Sequence, residues 1–135
     1  MTGMAFRLID GNWHKVMREA AKADRSALRV VCPFIKLSAA RKLIEAAQAK
    51  SIQVITRYKL QDFYDGVSDI AALRLFLEHG AEIRGVKGLH AKLFLFGKTN
   101  ALVTSANLTL AALQSNHELG FLSDDQTIVQ QCRRY

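Results

Sequence analysis

The sequence is poor in proline, cysteine and long apolar runs, and each shortage excludes something. One proline and eight glycines among 135 residues leave little room for a disordered linker. Two cysteines, Cys32 and Cys132, are too few for a disulfide framework and lack metal-site spacing. Free thiols in a reducing compartment follow, with the cytoplasm as the default location. No uninterrupted apolar run approaches the ~18 residues that a membrane helix needs. The first ten residues are not a charged segment followed by a long apolar one, so no secretory signal is expected. Acidic residues are the scarcer charge: twelve Asp and Glu stand against nineteen Lys and Arg, for a net +7. Such a surplus on a small domain favours a polyanionic partner, nucleic acid before anionic lipid.

Half of the residues are apolar, enough to bury a core in a single domain spanning 1–135. Trp13, Val16, Met17, Ala20 and Ala21 share one helical stripe, with Asn12 as its N-cap. Residues 27–34 read as a strand ended by Pro33. Ser38 caps a second helix that turns Leu43, Ile44 and Ala47 inward. Residues 52–56 form the next strand, followed by Arg57, Lys59 and a polar loop. Ser68 caps a third helix carrying Ile70, Leu73, Phe76 and Leu77, with Gly80 as its stop. Strands follow at 81–85, 90–96, 101–105 and 116–122, the middle pair joined by a turn at 97–100, and 124–134 is helical.

This alternation predicts an α/β fold with a mixed, largely parallel β-sheet sandwiched by helices. Ligands of such sheets gather at the carboxyl ends of strands, where Arg57 and Lys59 would stand.

The run His90-Ala-Lys92 is out of place at the start of an apolar strand. Its two polar side chains point to the same face, about 6.6 Å apart along the chain. As an isolated feature this would be a polar strand end at a sheet edge. Asn107 closes the next strand, and Asn116 and Glu118 share a face of a third. A neutral imidazole is a nucleophile or base, Lys and Asn donate to phosphate oxygens, and a carboxylate can hold the imidazole's tautomer. That set suits phosphoryl transfer without a metal, and no acidic pair stands nearby to hold Mg²⁺. The other histidines have simpler explanations. His14 lies near the exposed side of the first helix, His79 precedes a helix-ending glycine, and His117 alternates away from Asn116 and Glu118.

His90-Ala-Lys92, then Thr104-Ser105-Ala-Asn107, then Asn116-His-Glu118 resembles the phospholipase D superfamily. Its signature is H-x-K, four residues, D, then G-[ST]-x-N and a downstream glutamate. The sequence departs from it at Gly97, where the aspartate would fall, and at Thr104, where the first glycine would fall. The resemblance implies the family's α-β-α fold. It further implies that His90 attacks phosphorus and forms a phosphohistidine. Lys92, Asn107 and Ser105 would hold the non-bridging oxygens, and Glu118 would orient His90. No metal or cofactor would take part.

The family's chemistry uses two histidines, a nucleophile and a general acid, and this chain carries one copy of the motif. A C2 homodimer with the site at its interface is therefore expected, with a bell-shaped pH dependence. The small basic domain, without an amphipathic membrane helix, resembles the nuclease branch. The expected function is a metal-independent endonuclease acting on DNA rather than RNA, in restriction or defence, with no stable membrane association.

Arg57, Lys59, Lys87 and Lys98 would form a basic rim for a phosphate backbone. No helix-turn-helix or zinc finger is evident, so sequence specificity would come from an additional domain or subunit. The chain stops soon after its last helix begins, as a fragment of a longer protein would. Phospholipid hydrolysis, or a catalytically silent nucleic-acid-binding module, are the alternatives.

Overall fold

Apolar spacing sets the helices, and alternation sets the sheet. The computed structural model of the chain describes residues 6–135. In order along the chain it contains β1 (Arg7–Ile9), α1 (Trp13–Ala23), β2 (Leu28–Val31), α2 (Leu37–Ala47), β3 (Ile52–Thr56) and α3 (Leu60–Tyr64). Then follow α4 (Ile70–Glu78), β4 (Glu82–Gly85), β5 (Leu93–Phe96), β6 (Asn100–Thr104), a π-helical turn (Ala111–Ser115), β7 (Gly120–Ser123) and α5 (Gln126–Arg134).

The seven strands form one sheet in the order β1-β7-β6-β5-β2-β3-β4. The sheet is mixed, as expected, but most of its ladders are antiparallel rather than parallel, because β5, β6 and β7 follow one another as neighbours instead of through helical crossovers. β2–β3 and β3–β4 are parallel, joined by crossovers through α2 and through α3 and α4. The β1–β7, β7–β6, β6–β5 and β5–β2 ladders are antiparallel. Helices cover both faces. Val30, Phe94, Phe96 and Leu102 pack under α1, α2 and α4, while Val31, Leu93, Leu95 and Ala101 pack with Val129 of α5. Phe94, with no exposed surface, belongs to the first and larger core.

Several local expectations are corrected. Asn12 occupies the N-cap position of α1 but has φ 54° and makes no side-chain capping bond. Ser38 lies inside α2. The capping acceptor is the Asp69 carboxylate from the start of α4, which takes the Leu37 N–H at 2.7 Å and the Lys36 ammonium at 2.9 Å. Ser68 does not cap α4 either. Its hydroxyl accepts the buried N–H of Ile35 at 3.1 Å, a donor that would otherwise have no partner.

β1 and α3 were not foreseen. β1 is only three residues long, and α3 forms where Asp62 is drawn inward by Arg57. His14 is half-buried rather than solvated. Its Nε2 has no partner among the described residues, and burial, then Lys42 and Arg18, lower its pKa.

The turn between β5 and β6 shows why residue 97 is glycine. Its φ is 60°, and a Cβ there would meet the Asp24 carboxylate. That carboxylate accepts the N–H groups of Ser26 and Lys98 and the hydroxyl of Thr99, each at 3.0 Å. The Ser26 side chain first, and then these bonds, hold the Asp24 carboxyl well below the usual carboxylate range. The turn thus receives its carboxylate from the α1–β2 loop. Lys98 is fixed at this turn, beyond the far end of β5 from Lys92, so it cannot join a rim with Arg57, Lys59 and Lys87.

Candidate active site

The strand directions bring the sequence motifs to one end of the sheet. β2, β3 and β4 run toward that end and β5 runs away from it, so β5 begins there; β6 ends there and β7 begins there. Residues 90–92, 105–107, 116–118, 32–34, 57–59 and 85–88 are therefore neighbours, although they are scattered through the sequence.

His90 and Lys92 lie just before β5 rather than within it. The ladder nevertheless continues past the strand, since the Thr104 N–H donates to the Lys92 carbonyl at 3.3 Å. His90 is exposed, and its ring makes no hydrogen bond to a described residue. The Lys92 ammonium curls back to the His90 carbonyl at 3.0 Å. His90, Lys92, Thr104 and Ser105 line an open groove of about 590 Å³, walled on its other side by Ile128, Cys132 and Tyr135.

Asn116, His117 and Glu118 precede β7 instead of lying in a strand. Their geometry still serves one carboxylate. The Ser105 hydroxyl donates to Glu118 Oε1 at 2.6 Å, and the Asn116 amide donates to Oε2 at 3.3 Å. Ser105 Oγ in turn accepts the Leu119 N–H at 3.0 Å. Among the described residues, no hydrogen bond joins Glu118 to His90.

Asn107 is fixed by a residue that sequence reasoning left aside. Its Oδ1 accepts the Phe34 N–H at 3.4 Å and the Cys32 thiol at 3.5 Å. Cys32 also accepts the Leu108 N–H at 3.2 Å. Burial pushes this thiol up to about 11, against the opposing charge of Lys92, so it stays protonated. Cys32 is thus a buried strut that ties the end of β2 to the loop after β6. Its position, one residue past an apolar strand and next to Pro33, was the available signal. With Asn107 Oδ1 engaged, its amide nitrogen remains to donate.

Arg57 and Lys59 part company. Arg57 forms a bidentate pair with Asp62, at 2.9 and 3.0 Å, and its guanidinium lies 4.6 Å from the Phe34 ring centre. Its charge is already matched. Lys59 lines a second groove with Arg57, Tyr58, Val86 and Lys87, which keeps three of the four cations expected in a basic rim together and adds Tyr58, a residue that sequence reasoning left aside.

Thr104 departs from the signature's glycine, and Gly120 faces it across the β6–β7 ladder. A Cβ at Gly120 would stand 2.4 Å from the Val103 carbonyl oxygen and 2.8 Å from Thr104 Cα. The side chain present at residue 104 is accommodated by its absence at residue 120. Among the described residues, no group of three or more His, Cys, Asp or Glu side chains could hold a metal ion, and no helix is long and apolar enough to cross a membrane.

Comparison with known proteins agrees with this geometry. The family described as "Cardiolipin synthase, PLD-like domain" matches residues 16–135. No sequence among the curated proteins matches. NucT from Helicobacter pylori has a similar structure, with a TM-score of 0.72 at 16% identity, over 96% of this chain and 91% of that one. Nuc, a phospholipase D family member from Salmonella typhimurium, gives 0.76 at 14% identity, over 96% and 89%. TrmBL2, an archaeal chromatin protein with a novel mode of DNA binding, gives 0.62 at 13% identity, over 97% of this chain and 50% of that one. With the family matched over most of its length and the motif residues gathered at one end of the sheet, this chain belongs to the phospholipase D-like family.

Proposed function

We propose that the chain is a metal-independent phosphodiesterase, an endonuclease for DNA, whose active site is completed by a second copy of itself. The observation that carries this reading is the convergence of His90, Lys92, Ser105, Asn107 and Glu118 at one sheet end that holds a single motif histidine. The net charge of +7 supports nucleic acid as the substrate.

In this mechanism the neutral His90 imidazole attacks phosphorus. The bond to the leaving oxygen breaks, and that oxygen takes a proton from the second copy's protonated histidine. Water then attacks the phosphohistidine and gives its proton to that same histidine as the phosphorus–nitrogen bond breaks. Lys92 and the Asn107 amide donate to the non-bridging oxygens as charge grows. Ser105 and Asn116 hold Glu118, which orients the imidazole once the second copy closes the groove. One histidine must be neutral and the other charged, so the rate is bell-shaped in pH.

Exposed apolar side chains near the groove support a second copy. Leu119 and Tyr135 are 54% and 70% exposed, and Leu8, paired beside Phe121, is 63% exposed.

The test is cleavage in excess EDTA. Single- and double-stranded DNA are offered alongside vesicles of anionic phospholipid. Release of DNA fragments, with the vesicle lipid intact, is the expected result. Cleavage that appears only on adding a divalent metal, or hydrolysis of lipid without cleavage of DNA, would refute the reading.

A further inference from the structure

The second groove has a volume of about 610 Å³ and lies at the carboxyl ends of β3 and β4. Its wall carries three cations, Arg57, Lys59 and Lys87, and one exposed aromatic ring, Tyr58. The two ion pairs among the described residues are Arg57–Asp62 and Lys36–Asp69. Lys59 and Lys87 are therefore left unmatched and exposed. Asp62 is spent on the groove's Arg57, and Asp65 just past α3 is bonded to Gln61.

The ring is placed rather than loose. Tyr58 is 58% exposed, and Phe63 supports it with ring centres 5.2 Å apart. Gly85 makes this placement possible, because a Cβ there would stand 2.9 Å from the Tyr58 Cβ. The neighbouring Arg57 is pinned by Asp62 and Phe34, so the wall behind the ring is rigid. Gly88, at the rim of the groove, is two residues from His90, a span of at most about 7 Å. The groove and the proposed nucleophile thus stand close together along the backbone, although His90 lines the other groove.

A rigid, half-exposed ring between unmatched lysines fits a nucleic-acid base flanked by its phosphates. In a duplex the base faces are covered by their neighbours, and only an unpaired base can lie flat on a side chain. We infer that this groove binds a single strand, with a base stacked on Tyr58 and backbone phosphates on Lys59 and Lys87. The chain would then select unpaired nucleic acid over duplex. The inference names the substrate class of the site proposed above and rests on that reading for its link to cleavage. Its physical content is binding, which can be measured without cleavage.

The experiment uses the His90→Ala protein in EDTA, so that nothing is cut. Fluorescence anisotropy follows a short labelled DNA single strand, the same sequence as a duplex, and the same strand with its bases removed. The intact single strand is expected to bind most tightly. Tyr58→Ala should weaken it on the order of tenfold and leave the duplex and the abasic strand unchanged. Tyr58→Phe should bind like the parent, which shows that the ring and not the fold is read. Lys59→Ala and Lys87→Ala should weaken all three probes and each lower the salt slope by about 1.

Equal affinity for single strand and duplex would overturn the inference. So would a Tyr58→Ala loss shared equally by the abasic strand, which would mark a structural role. If the binding pattern holds while the wild type never cuts DNA, the proposed function fails and this inference stands.

Discussion

Replacing His90 by alanine is expected to lower DNA cleavage in EDTA by on the order of 10³-fold or more, because it removes the atom that forms the covalent bond. Thermal stability should be almost unchanged. His90 is exposed and its ring makes no bond to a described residue, and surface changes of that kind are usually worth about 0.5 kcal/mol or less. The same variant also probes the shared site. In a site built from two copies, each mixed dimer lacks one of the two histidines. An equal mixture with the wild type, allowed to exchange, should then keep about one quarter of the wild-type rate, against about one half for independent sites. A mixture that keeps half would show that each chain works alone.

Gly120→Val is expected to cost about 3 kcal/mol and to lower the melting temperature by about 10 °C. The contact is with backbone, the Val103 carbonyl and Thr104 Cα, which cannot rotate aside as a side chain can. The added side chain must push β7 from β6 at the Thr104–Gly120 pair. One residue further on, that ladder carries Ser105 and Leu119, and beyond them Glu118. Cleavage should fall further than stability alone explains, measured at a temperature where the variant remains folded. Gly11 is the control, since nothing lies within 4 Å of a Cβ there and its φ is not positive. Gly11→Ala should leave both quantities unchanged.

The fold was legible where periodicity was strong. The stripe from Trp13 to Ala21 is the buried face of α1, and the apolar alternation before Arg57 is β3. What escaped the sequence was partnership at a distance. Ser38 and Ser68 have the composition of caps, yet the acceptor at α2 is Asp69, which arrives from another helix. β1 exists because β7 offers it an edge, and its three residues carry little signal of their own.

The candidate site follows the same division. Residue spacing pointed to His90, Lys92, Ser105, Asn107 and Glu118, and the strand order brings the loops that carry them to one end of the sheet. The two departures from the signature needed three dimensions. Gly97 has Asp24 against it, and Thr104 has Gly120 opposite. The bond from Cys32 to Asn107 spans 75 positions, and no local pattern announces it. Arg57 has the sequence pattern of a free cation, yet Asp62, five residues on, is drawn inward by α3 and pairs with it.

In the proposed reaction His90 becomes covalently attached to phosphorus. The most direct measurement is to mix the wild-type chain with phosphorus-labelled DNA in excess EDTA, quench in alkali, and map the labelled peptide. The expected result is an acid-labile, alkali-stable label on His90 that is absent from His90→Ala. DNA cleavage in EDTA without any label on His90, or a label on another residue, would contradict it.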